Sequence, residues 1–288
     1  MNFYLSAIML GLALSAMGLG IFISMRIFNI PDITTDGSYT LGAVVTGILL
    51  TKGIPVYAVC FFAFFAGVLA GTITGIIHAK LKINALLSGI LVMTALYSIN
   101  LTLLGRSNLP LLDISSVFDY FSLISNPFIA QFTCLLFFSA FLWLAITLLL
   151  KTDFGIAMRA TGNSETMVSA LGVNTSLMKV IGLGLSNGLV ALSGFLVTQY
   201  QGFADINMGI GIVILGIGSV MVGETVSSWL KIKNLGFRLA GVILGSILFR
   251  IILAYTLTIG VNPNLLKLLT SCIVLIIVGL PNLKKWSE

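Results

Sequence analysis

The stretch KTDFGIAMRATGNSETMVSALGVNTSLMK, residues 151–179, lies between two apolar runs each long enough to cross a bilayer, and its reading decides the fold. Phe154, Ala157 and Met158 stand at i, i+3 and i+4, and Gly162 follows as a stop signal. Met167, Ala170 and Leu171 repeat that spacing after Asn163 or Ser164 as N-cap. Glu165 sits in the first turn, and Gly172 is placed to end the helix in a left-handed conformation. Asn174 or Thr175 can then cap the apolar helix that follows. Two short amphipathic helices with signals at both ends make a compact elbow between membrane helices, suited to docking.

Composition agrees with this reading. Only 8% of the chain is charged, against roughly a quarter in soluble domains, while 58% is hydrophobic and the mean hydropathy is +1.12. Apolar segments run approximately over 3–24, 38–50, 54–78, 84–104, 127–150, 179–200, 208–222, 236–257 and 264–280. Several reach the roughly 18–20 residues needed to span hydrocarbon as helix, and there is no series of ten-residue alternating strands. The expected fold is an all-α polytopic membrane protein of about 8–10 transmembrane or re-entrant helices. The first run has neither a basic lead nor a small-residue cleavage site, so it reads as a retained membrane helix.

The net charge of +6 reflects orientation and not nucleic-acid binding. Lys80 and Lys82, then Lys151, Arg159 and Lys179, then Lys231, Lys233 and Arg238, then Lys284 and Lys285 alternate with the segments so that all four clusters share one side, expected to be the cytoplasm. The C-terminus falls on that side. Asp113 and Asp119, the turn 201–207 and the turn 260–264 face outward, while the side of the N-terminus stays open.

Two segments are interrupted. In FNIPDITTDGSYTLG, residues 28–42, Pro31 and Gly37 discourage helix, and Thr35 or Asp36 can cap the short helix that follows. Fourteen residues reach only about 21 Å against a core of roughly 30 Å, so this helix is expected to be broken or re-entrant. The seventh segment, GFADINMGIGIVILGIGSVMVGE, is glycine-rich and opens with Asp205 and Asn207 as capping candidates. Pro31-Asp32-Ile33 and Ala204-Asp205-Ile206 occupy corresponding places in two halves, a pattern that points to internal duplication and a substrate path between the halves.

Asp32, Asp36, Asp205, Asn207 and Arg250 are therefore the translocation-pathway candidates, with helix capping as the competing role for the acids and snorkelling to the interface for Arg250. His78, the single histidine, ends an apolar helix and reads as structural. The three cysteines lie apart inside apolar segments, so neither a disulfide framework nor a metal site is indicated. Gly184-Leu185-Ser186-Asn187-Gly188 matches a hydrolase elbow, but it falls inside a membrane helix. There, Gly182 with Ser186 and Gly184 with Gly188 suit close helix packing. No G-x-x-x-x-G-K-[ST] occurs, so a nucleotide that drives transport would bind another chain.

The segment FNIPDITTDGSYTLGA and the run from FGIAMRATGNSETMVSALGVNTSLMK through GFADINMGIGIVILGIGSVMVGE resemble permeases of the branched-chain amino acid and ribose class of ABC importers. Within that class they look most like permeases paired with substrate-binding lipoproteins of the tryptophan or tyrosine type. The resemblance implies a single transmembrane permease domain over 1–288, a cytoplasmic coupling loop at about 151–178 and no chemistry in the chain itself. ATP and Mg would sit on two partner ATPase subunits. An extracytoplasmic binding lipoprotein would deliver solute, and a second permease copy would complete a homodimer in the cell membrane. It also implies that the coupling element lies in Arg159 to Val173, with Glu165, Ala170, Leu171 and Gly172 in the family's short motif. Met167, Ala170 and Leu171 then form the apolar knob, and Arg159 and Glu165 supply orienting charges. An ion- or proton-coupled carrier without an ATPase is the alternative, supported by the broken segments and Arg250.

Overall fold

The computed structural model describes residues 2–112, 114–121, 126–232, 234–262 and 265–286, with side chains described for all of these except 2, 121 and 278–286. Asp113, Lys233 and Asn264, and the side chains of Lys284 and Lys285, lie outside what is described.

The helices are α1 Asn2–Ile21, which continues as a π-helix over Phe22–Ile27, α2 Thr34–Thr51, α3 Val56–Ala79, α4 Ala85–Leu104, α5 Pro127–Lys151, α6 Asp153–Asn163, α7 Glu165–Ala170, α8 Thr175–Gln201, α9 Ile212–Trp229, α10 Leu235–Thr258 and α11 Leu266–Trp286. Seven spans among the described residues are long and apolar enough to cross a membrane; α2 and α11 fall outside that set. The fold is an all-α polytopic membrane protein. Its one described sheet is a ribbon of two three-residue strands, β1 Asn108–Pro110 antiparallel to β2 Phe203–Asp205.

Helix α8 is the axis of the bundle, with 89% of its most apolar window buried, and it packs on α1, α2 and α3. The small-residue stripes explain this. Gly184 and Gly188 face Thr72, Val68 and Phe64 of α3, whereas Gly182 meets the Phe28 ring and Ser186 donates to the Gly20 carbonyl of α1 at 2.7 Å. On the α3 side, a Cβ at Gly71 would stand 2.2 Å from the Leu183 oxygen. Lipid supplies no hydrophobic drive for helix association, so close contact and interhelical hydrogen bonds must hold the bundle. Further bonds of this kind run from Ser193 to Ala13 at 2.9 Å and from Ser246 to Gly11 at 2.9 Å.

The two faces can be told apart by contacts. Tyr4 meets Thr258 and Tyr200 reaches Ser6, so the first turns of α1 share a face with the ends of α8 and α10 and with the ribbon. The end of the π-helix lies against Gly162 of α6, on the opposite, elbow face. Lys80, Lys82, Lys151, Arg159, Lys179, Lys231 and Arg238 all belong to the elbow face, as the charge pattern predicts, and Arg26, which that pattern did not include, joins them.

The second apolar segment departs from expectation. Its helix starts at Thr34, not near 38, and its 18 residues reach about 27 Å. Helix α2 runs from the Thr34–Thr74 hydroxyl pair to Gly47 against Leu109 and Ala204 of the ribbon, so it crosses toward the ribbon face and does not turn back. The break lies before it, over residues 28–33, where Asn29 adopts φ +54°.

Candidate functional site

The elbow forms as the sequence pattern requires, with one change of role. Thr152 caps α6, accepting from Gly155 N at 3.3 Å, Ser164 caps α7, accepting from Met167 N at 3.4 Å, and Asn174 caps α8, accepting from Leu177 N at 3.0 Å. Gly172 closes α7 at φ +85°. Gly162, however, is no stop: α6 continues to Asn163, and a Cβ at Gly162 would fall 1.6 Å from the Ile27 oxygen. Glycine is needed there so that α6 can seat on the end of α1, where Asn29 Nδ2 donates to the Gly162 carbonyl at 3.1 Å.

Met158 and Val168 are buried and anchor the two helices to the bundle. Met167 and Leu171 are 66% and 73% exposed, and Ala170 and Gly172 are exposed beside them, with Val173 half-buried. Met167 and Leu171 thus form an exposed apolar tip on the elbow face. The two expected orienting charges are already engaged or turned inward. Glu165 accepts from Lys179 Nζ at 2.5 Å and Thr175 Oγ1 at 3.2 Å, and the Lys179 hydrogen bond holds its carboxyl below the usual carboxylate range. Arg159 is half-buried and lines a polar cavity with Arg26 and Arg238.

The broken segments interlock. Asp32 is buried and ties the start of α2 to α8: Oδ1 accepts from Thr34 N at 2.9 Å and Oδ2 from Asn187 Nδ2 at 2.6 Å, while Asn187 Oδ1 accepts from Ser38 at 2.7 Å. Neither Thr35 nor Asp36 caps α2. Asp36 reaches across to α9, accepting from Gly211 N at 2.9 Å and Val213 N at 2.8 Å. It supplies acceptors that the N-terminus of α9 lacks, since Gly211 at the N-cap, φ +81°, has no side chain. Asp205 accepts from Asn207 N at 2.7 Å and from Asn108 Nδ2 at 3.2 Å, so it organises the short 3₁₀ turn Ile206–Gly209 and the β1–β2 ribbon. Asn207 is exposed there. Asp32 and Asp205 each accept from the backbone N–H two residues ahead.

Arg250 stands apart from these carboxylates. It lines a cavity of about 210 Å³ with Phe3, Ser6, Tyr200, Leu253 and Leu257, and its Nε is buried without an acceptor among the described residues. The Arg26–Glu224–Arg238 network is not among the candidates read from sequence. Glu224 Oε1 and Oε2 accept from Arg26 Nε at 2.6 and 2.5 Å, and Oε1 also from Arg238 at 2.8 Å. The signal was available, because Glu224 is an acid at the end of an apolar segment.

Fold and site together define a multi-pass helical membrane protein in which a surface elbow is seated against the end of α1 and against α8, beside two interlocked broken helices. The chain belongs to the family of branched-chain amino acid transport system permease components, whose profile matches residues 3–279. It is 38% identical over 284 residues to a tyrosine transport system permease protein of Clostridioides difficile, covering 98% of this chain and 92% of that protein. It is 33% identical to the uncharacterized protein RP368 of Rickettsia prowazekii over 96% of each chain. An autoinducer 2 import system permease protein, LsrC, of Salmonella choleraesuis is 26% identical over 67% of this chain and 54% of its own length. No solved structure gives a significant match.

Proposed function

We propose that this chain is the membrane permease subunit of an ATP-driven importer that carries a small polar solute, an amino acid, and that the tyrosine-transport relative points to an aromatic one. The observation that carries the reading is the uncovered apolar tip of Met167, Ala170 and Leu171 on a helix fixed to the bundle. In this reading the elbow face is cytoplasmic, which places the C-terminus there as well, and the tip with Gly172 and Val173 enters a cleft on an ATPase subunit. Arg159 and Glu165 hold the elbow in position. ATP and Mg belong to that partner. The ribbon face receives solute from an extracytoplasmic binding lipoprotein, and a second copy of the permease completes the pathway in the cell membrane.

The mechanics follow from the seating of the elbow. A push on α7 is passed through α6 to Ile27 and Asn29, and from there to the break before α2, whose Asp36 holds the start of α9. Both broken helices would therefore move together, altering a path in which Arg250 is the available cation. The test is Ala170→Asp with Leu171→Asp. The double variant is expected to reach the membrane and keep its fold but to lose ATP-dependent uptake in cells or proteoliposomes containing the complete transporter. Uptake that survived the change would remove the docking role from the tip.

A further inference from the structure

At the elbow face, a cavity of about 250 Å³ is lined by Phe22, Arg26, Ile27, Arg159, Leu235 and Arg238, with Asn163 at its edge. Arg26 and Arg238 share one carboxylate, Glu224, while Arg159 Nε is buried with no acceptor among the described residues. Three guanidiniums thus face one carboxylate, an excess of two positive charges in a polar recess. Arg26 and Arg238 side chains are 50% and 37% exposed, so their outer N–H groups are open to a ligand.

Where the cavity lies narrows its occupant. It sits at the ends of the candidate spans Phe3–Ile27, Ile206–Trp229 and Leu235–Thr258, and the ends of membrane helices are where lipid headgroups meet a protein. Phe22, Ile27 and Leu235 give it apolar walls. Nearby, Trp229 and Phe237 are 84% and 62% exposed, the aromatic placement of a membrane interface. The backbone is also adjusted locally: Arg26 is carried on a π-helical turn, a departure from α-geometry that often marks functional sites. Guanidinium N–H forks match phosphate oxygens, and basic recesses between membrane helices hold anionic headgroups.

We infer that the recess between Arg26, Arg159 and Arg238 is a binding site for the phosphate of an anionic phospholipid. A lipid seated there would bridge the end of α1, the elbow and the start of α10, placing the elbow under the influence of the surrounding membrane.

The test uses the full-length purified protein in detergent, titrated with phosphatidylglycerol, phosphatidylcholine or inorganic phosphate and read by native mass spectrometry and thermal midpoint. Arg159→Gln leaves Glu224 with both of its arginine partners. Wild type is expected to retain phosphatidylglycerol over phosphatidylcholine, and Arg159→Gln to weaken phosphatidylglycerol about fivefold, the effect of one basic side chain near a charged surface. Arg159→Lys recovers part of the loss, and Glu224→Gln tightens binding, because it removes the competing carboxylate. Phosphatidylglycerol binding unchanged in a folded Arg159→Gln protein overturns the proposal. So does equal stabilisation by inorganic phosphate with no preference between the lipids, which would assign the recess to a soluble anion. Loss of a co-purifying ATPase with lipid retention intact would likewise overturn it, giving the recess to an acidic group on a protein.

Discussion

Replacing Asp36 by Ala tests whether the two broken helices are one mechanical unit. Its carboxylate accepts from Gly211 N at 2.9 Å and Val213 N at 2.8 Å, at a helix start that has no side-chain cap of its own. Truncation leaves two part-buried backbone N–H groups without their acceptors. Each orphaned group costs about 1–3 kcal/mol, so the gross loss is roughly 2–6 kcal/mol, and release of a desolvated carboxyl offsets part of it. A net loss of about 3 kcal/mol corresponds to a midpoint lower by about 6–12 °C in a chain of this size. Asp36→Asn keeps one amide oxygen as acceptor and is expected to lose about half as much. Unfolding can be followed in detergent by the reaction of buried Cys134 with a thiol dye, using Cys272, which is exposed at the outset, as internal reference. Hydrogen exchange over 211–215 should rise before any other helix start. A midpoint within 1–2 °C of wild type, or exchange that rises elsewhere first, would refute the reasoning.

Three other outcomes follow from the same contacts. Glu165 has its carboxyl held below the usual carboxylate range by the Lys179 hydrogen bond, so the pair's contribution is fully present above the ordinary glutamate value and is lost as pH falls through the depressed one. The protection factor of the Val168 amide, its exchange rate corrected for the intrinsic rate at each pH, is therefore expected to stay constant from neutrality down to the ordinary glutamate value and to fall below it. Glu165→Gln abolishes that dependence at a cost under about 1 kcal/mol, since the side chain is half exposed. Gly162→Val drives a Cβ into the Ile27 carbonyl, so limited proteolysis is expected to cut the elbow in the variant and not in wild type. Ser186→Ala loses one interhelical bond worth about 0.6 kcal/mol, whereas Gly71→Val wedges α3 from α8 and is expected to abolish recovery of folded protein.

The elbow was legible because its signals are local: an N-cap, i/i+3/i+4 apolar spacing and a left-handed glycine each act over a few residues. Ser164, Asn174 and Gly172 do what their positions predict. The interruption before α2 was legible through Pro31, but the start of that helix was not, since it begins at Thr34 and takes in Gly37. What the carboxylates do was not, because Asp36 serves a helix 175 residues away and Glu224 pairs with an arginine 198 residues away, and no local pattern encodes either partner. Gly162 read as punctuation because a glycine after an amphipathic turn usually is; here it serves close approach to Ile27, a tertiary demand with the same residue as its answer. Arg159, expected as an orienting charge beside the tip, instead lines the recess between α1 and α10, a tertiary placement that no local pattern encodes.

In the proposed function, the projecting tip of α7 is the handle by which another protein drives this permease. A photo-reactive amino acid at Met167 or Leu171, activated in native membranes, tests it most directly. The account predicts an adduct with a nucleotide-hydrolysing subunit whose yield changes when ATP is trapped. Adducts confined to phospholipid, at both positions and in both nucleotide states, would contradict it.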